Sequence, residues 1–96
     1  MKISVMGTGY VGLVTGATLA ETGNQVTCLD ILEEKITELN QGKSPIFEPG
    51  LEKLIQEGIR TGNLKGSTDI ENGIVESDLT FICVGTPSKK DGSIDL

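Results

Sequence analysis

Three closely spaced glycines near the amino terminus are the residues whose spacing most suggests chemistry. Gly7, Gly9 and Gly12 form the pattern GxGxxG, directly after the strand-like segment Lys2–Met6 and before apolar residues at helical spacing. Bare backbone at such a turn lets a phosphate group approach the amides at the start of a helix, where the helix dipole also favours an anion. The spacing alone is a weak signal, but its place between a strand and a helix predicts a site for a dinucleotide pyrophosphate.

Each residue of this loop has a predicted role. We expect Gly7 to form the tight turn, Gly9 to admit the pyrophosphate, and Gly12 to let the helix pack closely on the sheet. The amides around Tyr10 and Val11 are expected to point at the anion. The alternative is a glycine turn that binds nothing.

An acidic residue, Asp30, follows the second predicted strand, 18 positions after Gly12. A carboxylate at this place is typical of proteins that bind the ribose hydroxyls of a dinucleotide. Ile31 and Leu32 follow it, so no adjacent cation is available for a 2′-phosphate, and NAD is favoured over NADP. Asp30 also fits a helix capping box with Glu33. The two roles are compatible if one carboxylate oxygen caps the helix while the other faces the ribose.

Two further residues are candidates for contacts with the cofactor. Lys35 lies one turn into the predicted helix after Asp30 and can reach the adenosine ribose, although a solvated surface lysine is the alternative. Thr86, in the sequence Gly85-Thr86-Pro87, follows the strand expected beside the first one. That position places Thr86 across the crevice from the glycine loop, where open α/β sheets bind ligands. A plain loop residue before proline is the alternative for Thr86.

The remaining pattern predicts the elements that position these residues. Strands are predicted over Lys2–Met6, Gln25–Leu29, Leu64–Thr68 and Leu79–Val84, helices over Val11–Thr22, Asp30–Gly42, Gly50–Arg60 and Thr68–Glu76, and an extended segment over Lys43–Glu48. Leu64–Thr68 is expected at an edge, whereas the nearly all-apolar Leu79–Val84 is typical of a strand covered on both faces. Thr68 and Glu71 fit a capping box. Alternating strands and helices predict an α/β fold, the N-terminal half of a Rossmann-like doubly wound parallel sheet with strand order 3-2-1-4.

The composition disfavours several classes of function. The 96 residues include 14 acidic and 8 basic side chains, for a net charge of −6. Nucleic acids and anionic membrane surfaces are therefore unfavourable partners, because both are bound through clusters of Lys and Arg. No apolar run is long enough to span a membrane, and no signal peptide is evident. Cys28 and Cys83 lie in apolar strand-like runs and the chain has no histidine. A Cys/His zinc site is excluded, and both cysteines are interpreted as small buried hydrophobes.

Three blocks of the sequence resemble a known family. They are GTGYVGLVTG at Gly7–Gly16, KSPIFEPGLEKL at Lys43–Leu54, and ICVGTPSKKDGSIDL at Ile82–Leu96. The family is that of the NAD-dependent nucleotide-sugar dehydrogenases, which includes UDP-glucose 6-dehydrogenase and GDP-mannose 6-dehydrogenase. The second and third blocks are far more specific than the glycine spacing.

The resemblance implies roles for individual residues. Tyr10 and Val11 are implied to contact the pyrophosphate, Asp30 and Lys35 the adenosine ribose, and Thr86 the cofactor near the point where the strand order reverses. Two residues of the matching region have no role in this scheme. Leu32 stands where the family is expected to have an acidic residue. Glu48 belongs to the EPG block, and we assign it no physical role.

The resemblance also implies the reaction of the parent protein. The family oxidises the C6 alcohol of a sugar to the acid with two NAD, through a cysteine thiohemiacetal and thioester. That nucleophile is expected downstream of this chain, so neither Cys28 nor Cys83 is assigned to it and no catalytic residue or metal ligand is predicted here. The chain, residues 1–96, is expected to be an incomplete N-terminal NAD-binding (Rossmann) domain of a cytoplasmic homo-oligomer, with the substrate-binding and catalytic domains beyond it.

The substrate is open between two members of the family. The block GTGYVGLVTG favours UDP-glucose, whereas KSPI and CVGTPSKKDG favour GDP-mannose. UDP-glucose is our leading interpretation and GDP-mannose the alternative. A non-catalytic NAD-sensing module is a third reading from a different class, against which the EPG and GTPSKKDG blocks speak.

Overall fold

Strands and helices alternate along most of the chain in the computed structural model, which describes residues 1–44, 48 and 50–83. The elements are β1 (Lys2–Met6), α1 (Tyr10–Glu21), β2 (Gln25–Leu29), α2 (Glu33–Asn40), α3 (Leu51–Thr61), β3 (Leu64–Ser67), α4 (Ile70–Val75) and β4 (Leu79–Ile82). Most boundaries agree with the predicted ones within one residue. The extended segment predicted over Lys43–Glu48 lies mostly outside the described residues, as do Val84 and Thr86.

The four strands form one parallel sheet with the order β3-β2-β1-β4, which confirms the predicted fold class and strand order. In the register of β1 and β2, Met6 pairs with Leu29. The last residues of the two central strands therefore lie side by side. The loops that leave these strands, one holding the glycine pattern and the other Asp30, begin at the same edge of the sheet.

The main core lies between the sheet and the helices α1 and α3. Its buried residues are Ile3, Val5, Leu13, Ala17, Ala20, Val26, Cys28, Leu39, Leu51, Ile55 and Leu64. Glycines bring the helices close to the strands. A Cβ on Gly16 of α1 would lie 2.9 Å from the Cys28 Sγ, and one on Gly58 of α3 would lie 2.7 Å from the Leu64 Cβ. The close approach holds α1, and with it the glycine loop, firmly on the sheet.

A smaller layer covers the opposite face of the sheet. Cys28 and Leu29 are neighbours in β2, so their side chains point to opposite faces. Cys28 faces Gly16 of α1, whereas Leu29 lies against α4, where a Cβ on Gly73 would come within 2.5 Å of a Leu29 methyl carbon. Helices therefore lie on both faces, as a doubly wound sheet requires.

The two edges of the sheet differ in how they are covered. On β3, the Asn40 side chain accepts a hydrogen bond from the Gly66 amide at 2.8 Å and donates one to the Gly66 carbonyl at 3.1 Å. This pairing protects backbone groups that an edge strand would otherwise expose. On β4, Leu79 is 46% exposed and Ile82 is 76% exposed. Leu79 and Ile82 are three positions apart, so their side chains point to opposite faces of the sheet, and the prediction that this strand is covered on both faces is wrong for its described residues.

The helix α2 begins later than its sequence pattern predicted. Its first residue is Glu33 and its N-cap is Leu32, which makes no side-chain capping bond. The predicted capping box from Asp30 does not form, because the Asp30 carboxylate accepts the Leu32 amide and the Asp30 amide, which the box would pair with Glu33, donates to the Ser67 carbonyl at 3.3 Å. The prediction of a helix starting at Asp30 is wrong for this reason.

The helix α4 also has a different cap. Its N-cap is Asp69, whose side chain accepts a hydrogen bond from the Asn72 amide. The predicted capping box began one residue earlier, at Thr68, and it is not formed in this way. A brief helix at this place is nevertheless confirmed.

Candidate functional site

The glycine loop joins the end of β1 to the start of α1. Gly7 has a φ of 105°, a left-handed conformation that favours glycine. Its amide donates to the Leu29 carbonyl at 2.7 Å. Gly9 is the N-cap of α1, and its carbonyl accepts the Leu13 amide at 2.9 Å. The turn thus places the amino end of α1 beside the end of β2.

The amino end of α1 has the properties of an anion site. The first amides of a helix have no intrahelical carbonyl to bind, and Gly9 has no side chain that caps them. The first turn holds no acidic residue, and Gly9, Tyr10 and Val11 are exposed. Since the helix dipole places partial positive charge here, a chain with a net charge of −6 can bind a phosphate group without a basic patch.

The glycines at positions 9 and 12 have opposite surroundings. A Cβ on Gly12 would lie 2.0 Å from the Gly7 carbonyl oxygen, so the protein's own packing requires glycine there. A Cβ on Gly9 would have no atom of the described residues within 4 Å. The φ of −74° at Gly9 is also open to other residues. As far as the described residues go, the space next to Gly9 is open to a pyrophosphate, so the loop fits a bound dinucleotide.

Asp30 lies beside this loop and is held by it. Its Oδ2 accepts two hydrogen bonds from Thr8, one from the amide at 3.1 Å and one from the hydroxyl at 2.6 Å. Its Oδ1 accepts the Leu32 amide at 3.0 Å. The predicted ribose carboxylate and the predicted pyrophosphate loop are therefore brought together and joined directly.

The environment of Asp30 favours its ionised form. Partial burial opposes ionisation, but the hydrogen bonds from Thr8 and Leu32 outweigh it, and the nearby positive charge of Lys35 adds to them. The net effect lowers the pKa of the Asp30 carboxyl below its ordinary value. Asp30 therefore presents a negative charge and hydrogen-bond acceptors near neutral pH.

Glu48, to which the sequence analysis assigned no role, interacts with Tyr10 at the start of α1. A hydrogen bond between the Glu48 carboxylate and the Tyr10 hydroxyl, together with the negative charge of the carboxylate, raises the pKa of Tyr10. The Glu48 carbonyl also accepts the Leu51 amide at 3.2 Å, at the start of α3. Glu48 thus links the starts of α1 and α3.

Comparison with known proteins decides the family. Residues 1–96 match the UDP-glucose/GDP-mannose dehydrogenase family, NAD binding domain. The chain belongs to this family. It is 53% identical over 96 residues to GDP-mannose 6-dehydrogenase of Pseudomonas aeruginosa, and equally to a UDP-glucose 6-dehydrogenase of Bacillus subtilis. Each match covers 100% of this chain and 22% of the relative, so the chain spans about a fifth of the length of these relatives.

Solved structures of the family share the fold. A ternary complex of GDP-mannose dehydrogenase from Pseudomonas aeruginosa superposes with a TM-score of 0.96 at 53% identity, over 100% of this chain and 22% of that one. A UDP-glucose dehydrogenase from Pyrobaculum islandicum superposes with a TM-score of 0.92 at 38% identity, over 99% of this chain and 22% of that one. The chain is thus a NAD-binding domain with the Rossmann-like fold of this dehydrogenase family.

The structure brings most of the residues predicted for the family's cofactor to one place, but it leaves one out. Gly7, Gly9, Tyr10, Val11 and Gly12 form the loop and the first turn of α1, with Asp30 and Lys35 beside them. Thr86 lies outside the described residues.

The two cysteines occupy positions beneath α1. Cys28 is fully buried, and burial, with a smaller effect from Cys83, raises the pKa of its thiol to about 12. That thiol stays protonated near neutral pH and is a poor nucleophile. Cys83 is half-buried, with its Cβ 3.5 Å from the position that a Cβ on Gly12 would take. The prediction of a buried hydrophobe is confirmed for Cys28 and wrong for Cys83, which is only partly buried just after the edge strand β4.

Thr8 is a site residue that sequence reasoning missed. It is 2% exposed, and its hydroxyl makes the 2.6 Å contact with Asp30. A hydroxyl residue between two glycines was the only available signal. Pairing it with Asp30 requires the register that sets the ends of β1 and β2 side by side.

Within the described part of the chain, no helix is both long enough and apolar enough to cross a membrane.

Proposed function

We propose that this chain is the NAD-binding portion of a dehydrogenase that oxidises UDP-glucose to UDP-glucuronate with two NAD. The main observation in support of a cofactor site is the open space at Gly9, which lies at the amino end of α1 and next to an ionised Asp30. The family supports the substrate class, a nucleotide sugar. The residues that bind the sugar and the catalytic nucleophile are proposed to lie outside this chain.

The glycine loop is proposed to bind the pyrophosphate. The amides of Tyr10 and Val11 donate to phosphate oxygens, and the bare backbone of Gly9 lets those oxygens come close. Gly7 adopts the left-handed conformation of the turn, and Gly12 lets α1 pack against the Gly7 carbonyl. Both glycines are proposed to shape the site without contacting the cofactor.

The adenosine ribose is proposed to bind at Asp30 and Lys35. A carboxylate accepts about four hydrogen bonds, and among the described residues Thr8 and Leu32 supply three of them to Asp30. The remaining acceptor position is on Oδ1, and a ribose hydroxyl can donate to it. A 2′-phosphate at the same place would meet the negative charge of Asp30, so the site discriminates against NADP.

Bound NAD supplies the hydride acceptor of the proposed reaction. The residues of this chain bind and orient it, and Thr86 is proposed, from the resemblance alone, to contact it from across the crevice. Neither Cys28 nor Cys83 is proposed as the nucleophile, and the raised pKa of the Cys28 thiol supports that exclusion.

GDP-mannose is the second candidate substrate. Relatives named for each substrate are equally similar to this chain, at 53% identity. Initial rates of NADH formation by the full-length protein with each nucleotide sugar separate the two. We expect turnover with UDP-glucose. Turnover with GDP-mannose alone would transfer the proposal to the second candidate, and turnover with neither would contradict a dehydrogenase acting on these sugars.

The cofactor preference tests the role of Asp30. Asp30→Ala in the full-length protein is expected to weaken NAD binding by about tenfold or more, because a hydrogen bond to a charged group is lost. It is also expected to reduce the preference for NAD over NADP. Glu33→Ala is a matched control, since it removes an exposed carboxylate from the first turn of α2. Equal use of NAD and NADP by the unmodified protein would contradict this assignment.

A further inference from the structure

Thr8 occupies an unusual position for a polar side chain. It stands between Gly7 and Gly9 and is 2% exposed, so it does not face solvent. Both its backbone amide and its hydroxyl point to one atom, the Oδ2 of Asp30, at 3.1 and 2.6 Å. The hydroxyl contact has the short length of a hydrogen bond to an ionised acceptor.

The two oxygens of the Asp30 carboxylate accept hydrogen bonds from different residues. Oδ2 accepts both donors of Thr8, and a carboxylate oxygen has about two acceptor positions. Oδ1 accepts the Leu32 amide at 3.0 Å and keeps one position open. The orientation of the carboxylate plane is therefore set from both sides before any ligand arrives.

We infer that Thr8 is a positioning residue for cofactor binding: its hydroxyl holds Asp30 so that Oδ1 alone accepts a ribose hydroxyl. The inference rests on the proposed function, because it concerns the same ribose subsite. It makes the glycine loop a single unit with Asp30, so that the pyrophosphate and ribose contacts are fixed relative to each other. A ligand that needs both carboxylate oxygens would have to break the bond to Thr8.

The charge on Asp30 follows from the same arrangement. Within the described residues, Lys35 of α2 is the charged group that acts on this carboxyl, and Thr8 and Leu32 add neutral donors. Removing the Thr8 hydroxyl takes away a donor that favours the ionised form, so the pKa of Asp30 rises. NAD binding that needs ionised Asp30 is present above that pKa and is lost as the pH falls through it. In a variant without the Thr8 hydroxyl, the loss of NAD affinity therefore begins at a higher pH.

The test compares Thr8→Val with Thr8→Ser in the full-length protein. Valine has nearly the shape of threonine but no hydroxyl, whereas serine keeps the hydroxyl. Calorimetric titration with NAD is expected to show affinity reduced by about tenfold for Thr8→Val, since a charge-assisted hydrogen bond is lost. Thr8→Ser is expected to restore most of the affinity. The pH below which NAD affinity is lost is expected to be higher for Thr8→Val than for the unmodified protein, and unchanged for Thr8→Ser.

A double-mutant cycle separates positioning from a general loss of structure. In an Asp30→Ala background the Thr8→Val substitution should change NAD affinity by less than about twofold, because the carboxylate that it positions is gone. If Thr8→Val does not fold, Thr8→Ala takes its place, since it removes the hydroxyl without setting a methyl group against the carboxylate.

Two results would overturn the inference. One is that the variants without a hydroxyl bind NAD as tightly as the unmodified protein and lose that affinity at the same pH. The other is an equal loss of affinity with and without Asp30. If the unmodified protein fails to bind NAD at all, the proposed function fails instead.

Discussion

Gly9 and Gly12 belong to one loop, yet the structure explains only one of them by the fold. A Cβ on Gly12 would collide with the Gly7 carbonyl oxygen at 2.0 Å, whereas a Cβ on Gly9 would meet no atom of the described residues within 4 Å. Gly9 has an ordinary φ of −74°, so backbone conformation does not require glycine either. Packing explains Gly12, whereas the packing of the described residues does not require glycine at position 9, and an approaching ligand would explain it.

This comparison extends along α1 to Gly16. A Cβ there would lie 2.9 Å from the Cys28 Sγ, an intermediate case in which the obstacle is the end of a side chain. The three positions form a series in which the same substitution, glycine to alanine, meets backbone, a side-chain atom or open space. The series separates residues that build the fold from one that serves the ligand.

The largest effect on stability is expected for Gly12→Ala. The new Cβ cannot be accommodated unless α1 moves away from the loop, because a backbone oxygen is fixed in its path. We expect the free energy of unfolding of the cofactor-free protein to fall by about 3 kcal/mol or more, the upper part of the range for overpacking. Denaturant titration followed by circular dichroism measures it. A Gly12→Ala protein as stable as the unmodified one would contradict the claim that packing requires glycine at position 12.

A smaller effect is expected for Gly16→Ala. Overpacking against Cys28 costs about 1–3 kcal/mol, and the gain in helix propensity offsets about 1 kcal/mol of it. The net loss of stability is therefore about 1 kcal/mol, with NAD affinity unchanged. In a Cys28→Ala background the obstacle is absent, and Gly16→Ala is expected to be neutral or stabilising. The same loss in both backgrounds would show that the Sγ contact is not the cause.

The sequence predicted the strand order and the loop because both depend on strong local patterns. β1 and β2 were predicted with their observed bounds, and the ends of α3 lie within one residue of the predicted ones. Right-handed crossovers then leave few ways to arrange parallel strands. The placement of Asp30 beside the loop followed from that topology.

The missed features all depend on contacts between distant parts of the chain. The partner of Thr8 is 22 positions away, and the Asp30 amide, which a capping box would need, donates to Ser67 in a different strand. The interaction of Glu48 with Tyr10 needs the start of α3 to lie near the start of α1. Local patterns carry no information about such pairings.

The smallest effect on stability, and the most direct test of the account, is expected for Gly9→Ala. The free energy of unfolding without cofactor should fall by only about 0.5 kcal/mol, because alanine is a poorer N-cap than glycine but the new methyl group would meet no atom of the described residues within 4 Å. NAD affinity should fall by about tenfold or more, because the added methyl group occupies the space through which the pyrophosphate approaches the amides of Tyr10 and Val11.

Calorimetric titration of NAD into the full-length Gly9→Ala protein, with a denaturation curve from the same preparation, is the deciding measurement. Nearly wild-type stability together with weakened NAD binding is the predicted result, and it would assign the open space at Gly9 to the cofactor. Wild-type affinity for NAD in a folded Gly9→Ala protein would contradict the account, because the pyrophosphate would then bind elsewhere.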